Sequence, residues 1–205
     1  IIGHTTGIWI TRGPAEIVNC TIRGNGQEGI VYEANETLTL LNDTIVNNNF
    51  GISGLASTVR NTIIANNTAQ DCSATPSVST NNIGSCGAGF SNVDPMLGAF
   101  ADNGGPTWTH ALLPGSPAIN AASTGPSSDQ RGVPRPQDLL SDIGAFERTP
   151  VPFETASAAV AAGDALTTDP EGDGATPLDP VETSVTHPNG GTITINEGPG
   201  AAAEF

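Results

Sequence analysis

One pattern of residues recurs three times in the first third of the chain: Ile17-Val-Asn19-Cys-Thr-Ile22-Arg-Gly-Asn25, Leu40-Leu-Asn42-Asp-Thr-Ile45-Val-Asn-Asn48 and Val59-Arg-Asn61-Thr-Ile-Ile64-Ala-Asn-Asn67. Each copy has Asn, an apolar residue three positions later, and Asn three positions after that. The steps between copies are 23 and 19 residues. Unequal steps exclude a heptad coiled coil and suit a solenoid whose strands are fixed while its loops vary in length. Glycine-led runs, Gly29-Ile30-Val31-Tyr32 and Gly51-Ile52, lie between the copies and read as return strands. The pattern therefore predicts an all-β, right-handed parallel β-helix.

Stacking such coils places Asn19 over Asn42 over Asn61, and Asn25 over Asn48 over Asn67. Asn tolerates the left-handed backbone of sharp corners, and stacked amides satisfy one another along a ladder. Ile17, Ile22, Leu38, Leu40, Ile45, Val59 and Ile64 are the expected interior. Asn19 and Asn42 are expected to face inward. A fourth coil is predicted around Val78–Gly84, between Cys72 and Cys86. Those two cysteines, 14 residues apart, are the expected disulfide of a secreted protein, with Cys20 left over. No CxxC or HExxH spacing gives a zinc signature.

Only 4% of the 205 residues are aromatic and 13% are charged, so a broad aromatic core is not expected. The formal charge is -15, from 21 acidic residues against six Arg and no Lys. A surface of that sign repels nucleic acid and anionic membranes. No apolar run is long enough for a transmembrane segment. The chain opens without Met directly in a β-like run, which reads as a processed or fragmentary start with earlier coils missing.

From residue 92 the pattern changes. Asn92-Val-Asp94-Pro-Met-Leu97, Asn103-Gly-Gly-Pro-Thr-Trp108-Thr-His110, Asp129-Gln-Arg131-Gly-Val-Pro-Arg135-Pro and Asp142-Ile-Gly-Ala-Phe146-Glu147 follow in order. The proline-rich turns interrupt ladder growth. Phe100, Trp108, Leu112, Leu113, Ile119, Ile143 and Phe146 are expected to plug the open end of the helix. Arg131 and Arg135 are expected to pair with Asp129, Asp142 or Glu147 at constrained turns.

These four blocks resemble the C-terminal portion of the choice-of-anchor Q domain, over roughly residues 15–148. That resemblance implies a parallel β-helix with an end cap, in an extracellular or bacterial cell-surface setting, and it carries no catalytic residues to transfer. The chain thus divides into coils (1–91), a C-terminal cap (92–148), and a linker with a small acidic β segment (149–205), incomplete or completed by a partner.

Nine of the 21 acidic residues fall in residues 150–205, which hold no Lys or Arg. Asp169, Glu171, Asp173 and Asp179 are hard oxygen donors and candidate calcium ligands, without EF-hand spacing. Asn189-Gly-Gly-Thr-Ile-Thr-Ile predicts a hairpin turn followed by an edge strand. No other cofactor is expected.

Glycoside hydrolysis needs two carboxylates about 5–9 Å apart. The coils offer Glu16, Glu28, Glu33, Glu36 and Asp43, but the stacked equivalents of Asp43 are Cys20 and Thr62. The leading expectation is a non-catalytic structural or adhesive surface protein, self-assembling through its C-terminal strand. Its expected partners are other copies of itself or surface polymers. The alternative is a carbohydrate-binding or polysaccharide-processing β-helix, with Trp9, Tyr32 and Trp108 as sugar-stacking surfaces. Trp9 and Tyr32 sharing an exposed groove would favour the alternative, and a Trp108 buried in the cap would favour the leading reading.

Overall fold

A computed structural model describes residues 1–34 and 36–150, together with the backbone of strands Thr183–Thr186 and Thr192–Ile195. Contacts within the chain divide it into Ile1–Pro152 and Phe153–Phe205.

The first unit is a right-handed parallel β-helix of about four turns. Its coils comprise β1 (Ile8–Ile10), β2 (Ala15–Val18) and β3 (Thr21–Arg23); β4 (Glu28–Tyr32), β5 (Leu38–Leu41) and β6 (Thr44–Val46); β7 (Phe50–Ser53), β8 (Thr58–Arg60) and β9 (Ile63–Ala65); and β10 (Gln70–Cys72), β11 (Val78–Thr80) and β12 (Asn82–Gly84). A short β13 (Phe90–Ser91) follows. Three parallel sheets run along the axis in the orders β1-β4-β7-β10, β2-β5-β8-β11 and β3-β6-β9-β12-β13. Register places Ile17 beside Leu40 and Leu40 beside Val59, and Ile22 beside Ile45 and Ile45 beside Ile64. All the expected interior residues are buried in one core.

Two of the corners of each coil interrupt the backbone ladder, and side-chain columns take over its hydrogen bonds there. Asn48 Oδ1 accepts from Asn25 N at 3.0 Å and from Asn25 Nδ2 at 2.9 Å, and Asn67 Oδ1 accepts from Asn48 N at 3.0 Å and Nδ2 at 3.1 Å. A second column runs through Cys20, Asp43, Thr62 and Asn82. Cys20 N donates to Asp43 Oδ1 at 2.8 Å, Asp43 N to Thr62 Oγ1 at 3.3 Å, and Thr62 N to Asn82 Oδ1 at 2.9 Å.

The Asn25 column has room because a glycine stands beside every member. A Cβ on Gly29 would lie 2.7 Å from Gly51 O and 2.9 Å from Asn48 Nδ2, and Gly7 and Gly51 are equally crowded. In the fourth coil Asp71 takes the glycine position, and its Oδ1 accepts from Asn67 Nδ2 at 2.9 Å while Oδ2 accepts from Ser85 N at 2.9 Å. Its carboxylate thus stands where another Asn would continue the ladder, and ends it.

The segment from residue 92 does not plug the end of the helix as expected. It lies along the flank formed by the third sheet, whose outward residues Val46, Ile63, Ala65 and Ile83 are covered by Leu112, Ala118, Ala122, Ile143 and Phe146. Antiparallel strands β14 (Leu97–Ala101) and β15 (Thr109–Leu112) form a hairpin, with Phe100 4.8 Å from the Arg23 guanidinium of the first coil. The interior end is closed by the Cys72–Cys86 disulfide, both cysteines being buried in the coil core with Phe90 packed against it. The flank wins because its outward side chains are apolar, so this sheet must be buried on both faces. In the second unit β16 (Thr183–Thr186) pairs antiparallel with β17 (Thr192–Ile195), matching the predicted hairpin.

Truncation of Asn48 leaves the backbone N–H and the side-chain Nδ2 of buried Asn25 without their acceptor. Asn48→Ala is expected to lower the unfolding free energy by about 2–4 kcal/mol in urea titrations. Gly29→Ala is expected to destabilise by about 1–3 kcal/mol, because the new methyl meets backbone rather than a side chain that can swing away.

Candidate functional site

The second sheet presents two outward files across the coils: Glu16, Thr39, Thr58 and Val78, then Val18, Leu41, Arg60 and Thr80. On the first sheet the outward file starts with Trp9, beside Val31 and then Ser53. Trp9 is 64% exposed. Tyr32 follows Val31 on β4 and points the other way into the core, at 5% exposure, so Trp9 and Tyr32 form no shared sugar platform. Trp108 is not buried in the cap: it is 55% exposed, propped against Phe100 with ring centroids 5.6 Å apart. Behind it His110 is buried on β15, with its Nδ1 donating to Gly98 O at 2.7 Å. Burial holds its pKa below the usual histidine value, and the nearby Arg23 charge adds to this.

The cap is held by two buried ion pairs. Arg131 meets Asp129 at 2.8 Å and Arg135 meets Glu147 at 2.6 Å. Arg131 also lies 3.6 Å over the Phe146 ring and donates to Asn103 O at 3.0 Å. Asp142 pairs with neither arginine through its side chain. Its carboxylate accepts from Asn120 N at 2.7 Å and Arg148 N at 2.6 Å, and only its backbone oxygen takes Arg135 Nη1, at 2.8 Å. Burial pushes the pKa of Glu147 up and that of Arg135 down, while their mutual attraction opposes both shifts. This arrangement ties three turns together and leaves both charges shut off from solvent.

The column of Asn19, Asn42 and Asn61 serves a purpose absent from the repeat pattern. Its members have positive φ, 52°, 53° and 50°, and their side chains grip the backbone of the cap. Asn19 Nδ2 donates to Ser128 O at 2.7 Å and Asn42 Nδ2 to Asp142 O at 3.2 Å. Asn61 makes a two-way contact: its Oδ1 accepts from Ser123 N at 3.0 Å, and its Nδ2 donates to Ser123 O at 3.2 Å. Asn19 and Asn42, expected to face inward, turn to the cap instead, Asn19 half-buried and Asn42 buried beneath it.

Register places Asn81 next in this column, since Thr80 pairs with Arg60, and its φ of 53° matches. Asn81 is exposed and, among the described residues, makes no side-chain hydrogen bond. It lines an open groove of about 520 Å³ with Ile83, Phe90, Val93, Pro117 and Ile143. The repeat alone did not reveal Asn81, whose neighbours depart from the nine-residue pattern; its place beside the paired fourth-coil strand was the available signal.

The candidate calcium ligands Asp169, Glu171, Asp173 and Asp179 lie outside the described residues. Among the described residues no group of three or more His, Cys, Asp or Glu side chains is arranged to hold a metal ion. No helix of the described residues is long and apolar enough to cross a membrane. Cys20 is half-buried and unpaired.

A family model described as the right handed beta helix region matches residues 1–69 of the chain. No curated protein and no solved structure matches it.

Asp43 is the one wholly buried carboxyl of the coil interior's corner column. Burial raises its pKa well above the usual aspartate value, against the hydrogen bonds from Cys20 N and Leu41 N. Between the unfolded and the folded value, the folded state therefore holds a proton that the unfolded chain has released. That stabilisation is complete below the unfolded value near 4 and is lost as pH rises through the folded value. Asn82 shows how an amide fits the same column, with Nδ2 donating to Val59 O at 2.9 Å. Asp43→Asn is expected to gain stability relative to the parent as pH rises from about 4 to about 8, followed by thermal unfolding. A difference independent of pH would contradict the assignment.

Proposed function

We propose that this chain is a non-catalytic extracellular surface protein of structural or adhesive type, related to the choice-of-anchor Q domains whose C-terminal blocks it resembles. The observation that carries this reading is the cap fastened lengthwise along the coils. Asn19, Asn42 and Asn61 hold its backbone, and Thr21 Oγ1 and Thr44 Oγ1 bond to Gln130 and Ala145 N at 2.6 and 3.0 Å. A solenoid bonded along one flank resists bending, and among the described residues its two other sheets present Thr39, Thr58, Thr80, Arg60 and Trp9 outward. The buried disulfide supports an oxidising, extracellular setting. The acidic balance disfavours nucleic-acid partners.

A second reading, a carbohydrate-binding β-helix, is favoured by Trp9 and Trp108, which offer exposed aromatic faces on which pyranose rings stack. The two readings separate on turnover and on the tryptophans. Incubation with neutral and uronic polysaccharides is expected to release no reducing ends and no unsaturated uronate, while the protein still adheres to polymer-coated surfaces. Sustained release of either product would overturn the non-catalytic reading. Glycan-array binding lost in Trp108→Ala or Trp9→Ala, with thermal stability kept, would move the assignment to carbohydrate binding.

A further inference from the structure

We infer that the groove at Asn81 is a docking site for an uncharged, extended peptide of a partner chain, gripped by the Asn81 amide as Asn61 grips Ser123. The inference does not depend on the scaffold reading; it rests on continuity with the cap interface. Three asparagines in one register, with the same left-handed backbone, each donate a side-chain N–H to a backbone carbonyl of the cap. At Asn61 the amide also accepts the N–H of the same residue, so one side chain satisfies both backbone groups of Ser123. Asn81 repeats the register and the backbone conformation one coil further along, and its amide faces solvent.

The walls indicate what would lie there. Ile83, Phe90, Val93, Pro117, Ala121 and Ile143 give an apolar floor and sides, and the remaining lining residues are Asn81, Asn82, Gly89 and Ser91, without a charged group among them. A charged side chain in that space would lose hydration with no opposite charge to replace it. An uncharged segment avoids that loss, placing apolar side chains against the walls and its backbone on Asn81. Backbone pairing supplies affinity and the pockets supply preference, as in other modes of extended-peptide recognition. A volume of about 520 Å³ fits a few residues rather than a folded domain.

The full 205-residue chain provides its own probe. An acetylated and amidated peptide with the sequence of Ile119–Pro126, the segment this protein lays on Asn61, is titrated into isotope-labelled protein and followed by amide NMR. Saturable shifts are expected at Asn81, Phe90, Ser91 and Val93. Asn81→Gly keeps the left-handed backbone without strain and removes only the amide; it is expected to weaken binding about tenfold. Val93→Glu, at an exposed position, tests the groove independently and is expected to abolish the shifts. No binding at millimolar peptide would overturn the inference, as would shifts unchanged in Asn81→Gly, which would indicate exchange with the cap at Asn61. Concentration-dependent self-association that buries Asn81 and vanishes in Asn81→Gly would also overturn it, assigning the groove to a second copy.

Discussion

A corner in a parallel β-helix turns the backbone amides away from the ladder that serves them in the strands. Inside a closed coil there is no water to take their place, and a buried orphan donor costs about 1–3 kcal/mol. The solution in this chain is a side-chain oxygen one coil away, repeated in register. Asn48 and Asn67 accept from the backbone of Asn25 and Asn48, and Asp43, Thr62 and Asn82 accept from Cys20, Asp43 and Thr62. The chemistry of the acceptor varies along the second column, but its oxygen does not move. That constancy is why a carboxylic acid, a hydroxyl and an amide occupy equivalent places.

The Asn25 column imposes a further condition. An amide at each level fills the corner, so the neighbouring position has no space for a side chain, and Gly7, Gly29 and Gly51 follow from that. The Asn25 column and the glycine file beside it end together at Asp71. A residue with a side chain enters the glycine file only in the coil where no further asparagine follows, and its carboxylate serves Asn67 and Ser85 at once. Next to it Cys72 continues the file of Ile30 and Ile52 and bonds to Cys86, closing the fourth coil on itself. Polar ladder, apolar file and chain crossing thus terminate within two residues.

The coil register, the aliphatic interior, the fourth coil and the Cys72–Cys86 pair were legible in the sequence because each is set by short-range spacing. The pairing of Arg131 with Asp129 and of Arg135 with Glu147 was legible in part, since all four lie within one turn-rich stretch. Tyr32 and Trp108 were misplaced by the aromatic reading: ordinary alternation from the buried Ile30 sends Tyr32 inward, and the hairpin presents Trp108 to solvent. The second use of the asparagines was hidden for a different reason. Stacking explains Asn19, Asn42 and Asn61 completely in a bare repeat, whereas their bonds to Ser128, Asp142 and Ser123 span 109, 100 and 62 residues. Periodicity fixes what lies one coil away and is silent about contacts at that range.

The direction taken by the cap did leave a trace in composition. Strands of the second sheet alternate, with Leu38 and Leu40 inward and Thr39 outward, as expected where one face meets solvent. Strands of the third sheet do not: Thr44-Ile45-Val46 and Ile63-Ile64-Ala65 are buried throughout. A parallel strand apolar on both faces demands a cover on each, and the lumen supplies only one. An end plug would have left Val46, Ile63 and Ile83 in water, whereas a cover along the flank buries them and uses the corner asparagines as its anchoring row. Once the cover lies lengthwise, its constrained turns need internal support, because no strand ladder holds them. The buried arginine–carboxylate pairs supply that support, so their place in the sequence follows from the apolar outer face of a sheet that precedes them in the chain.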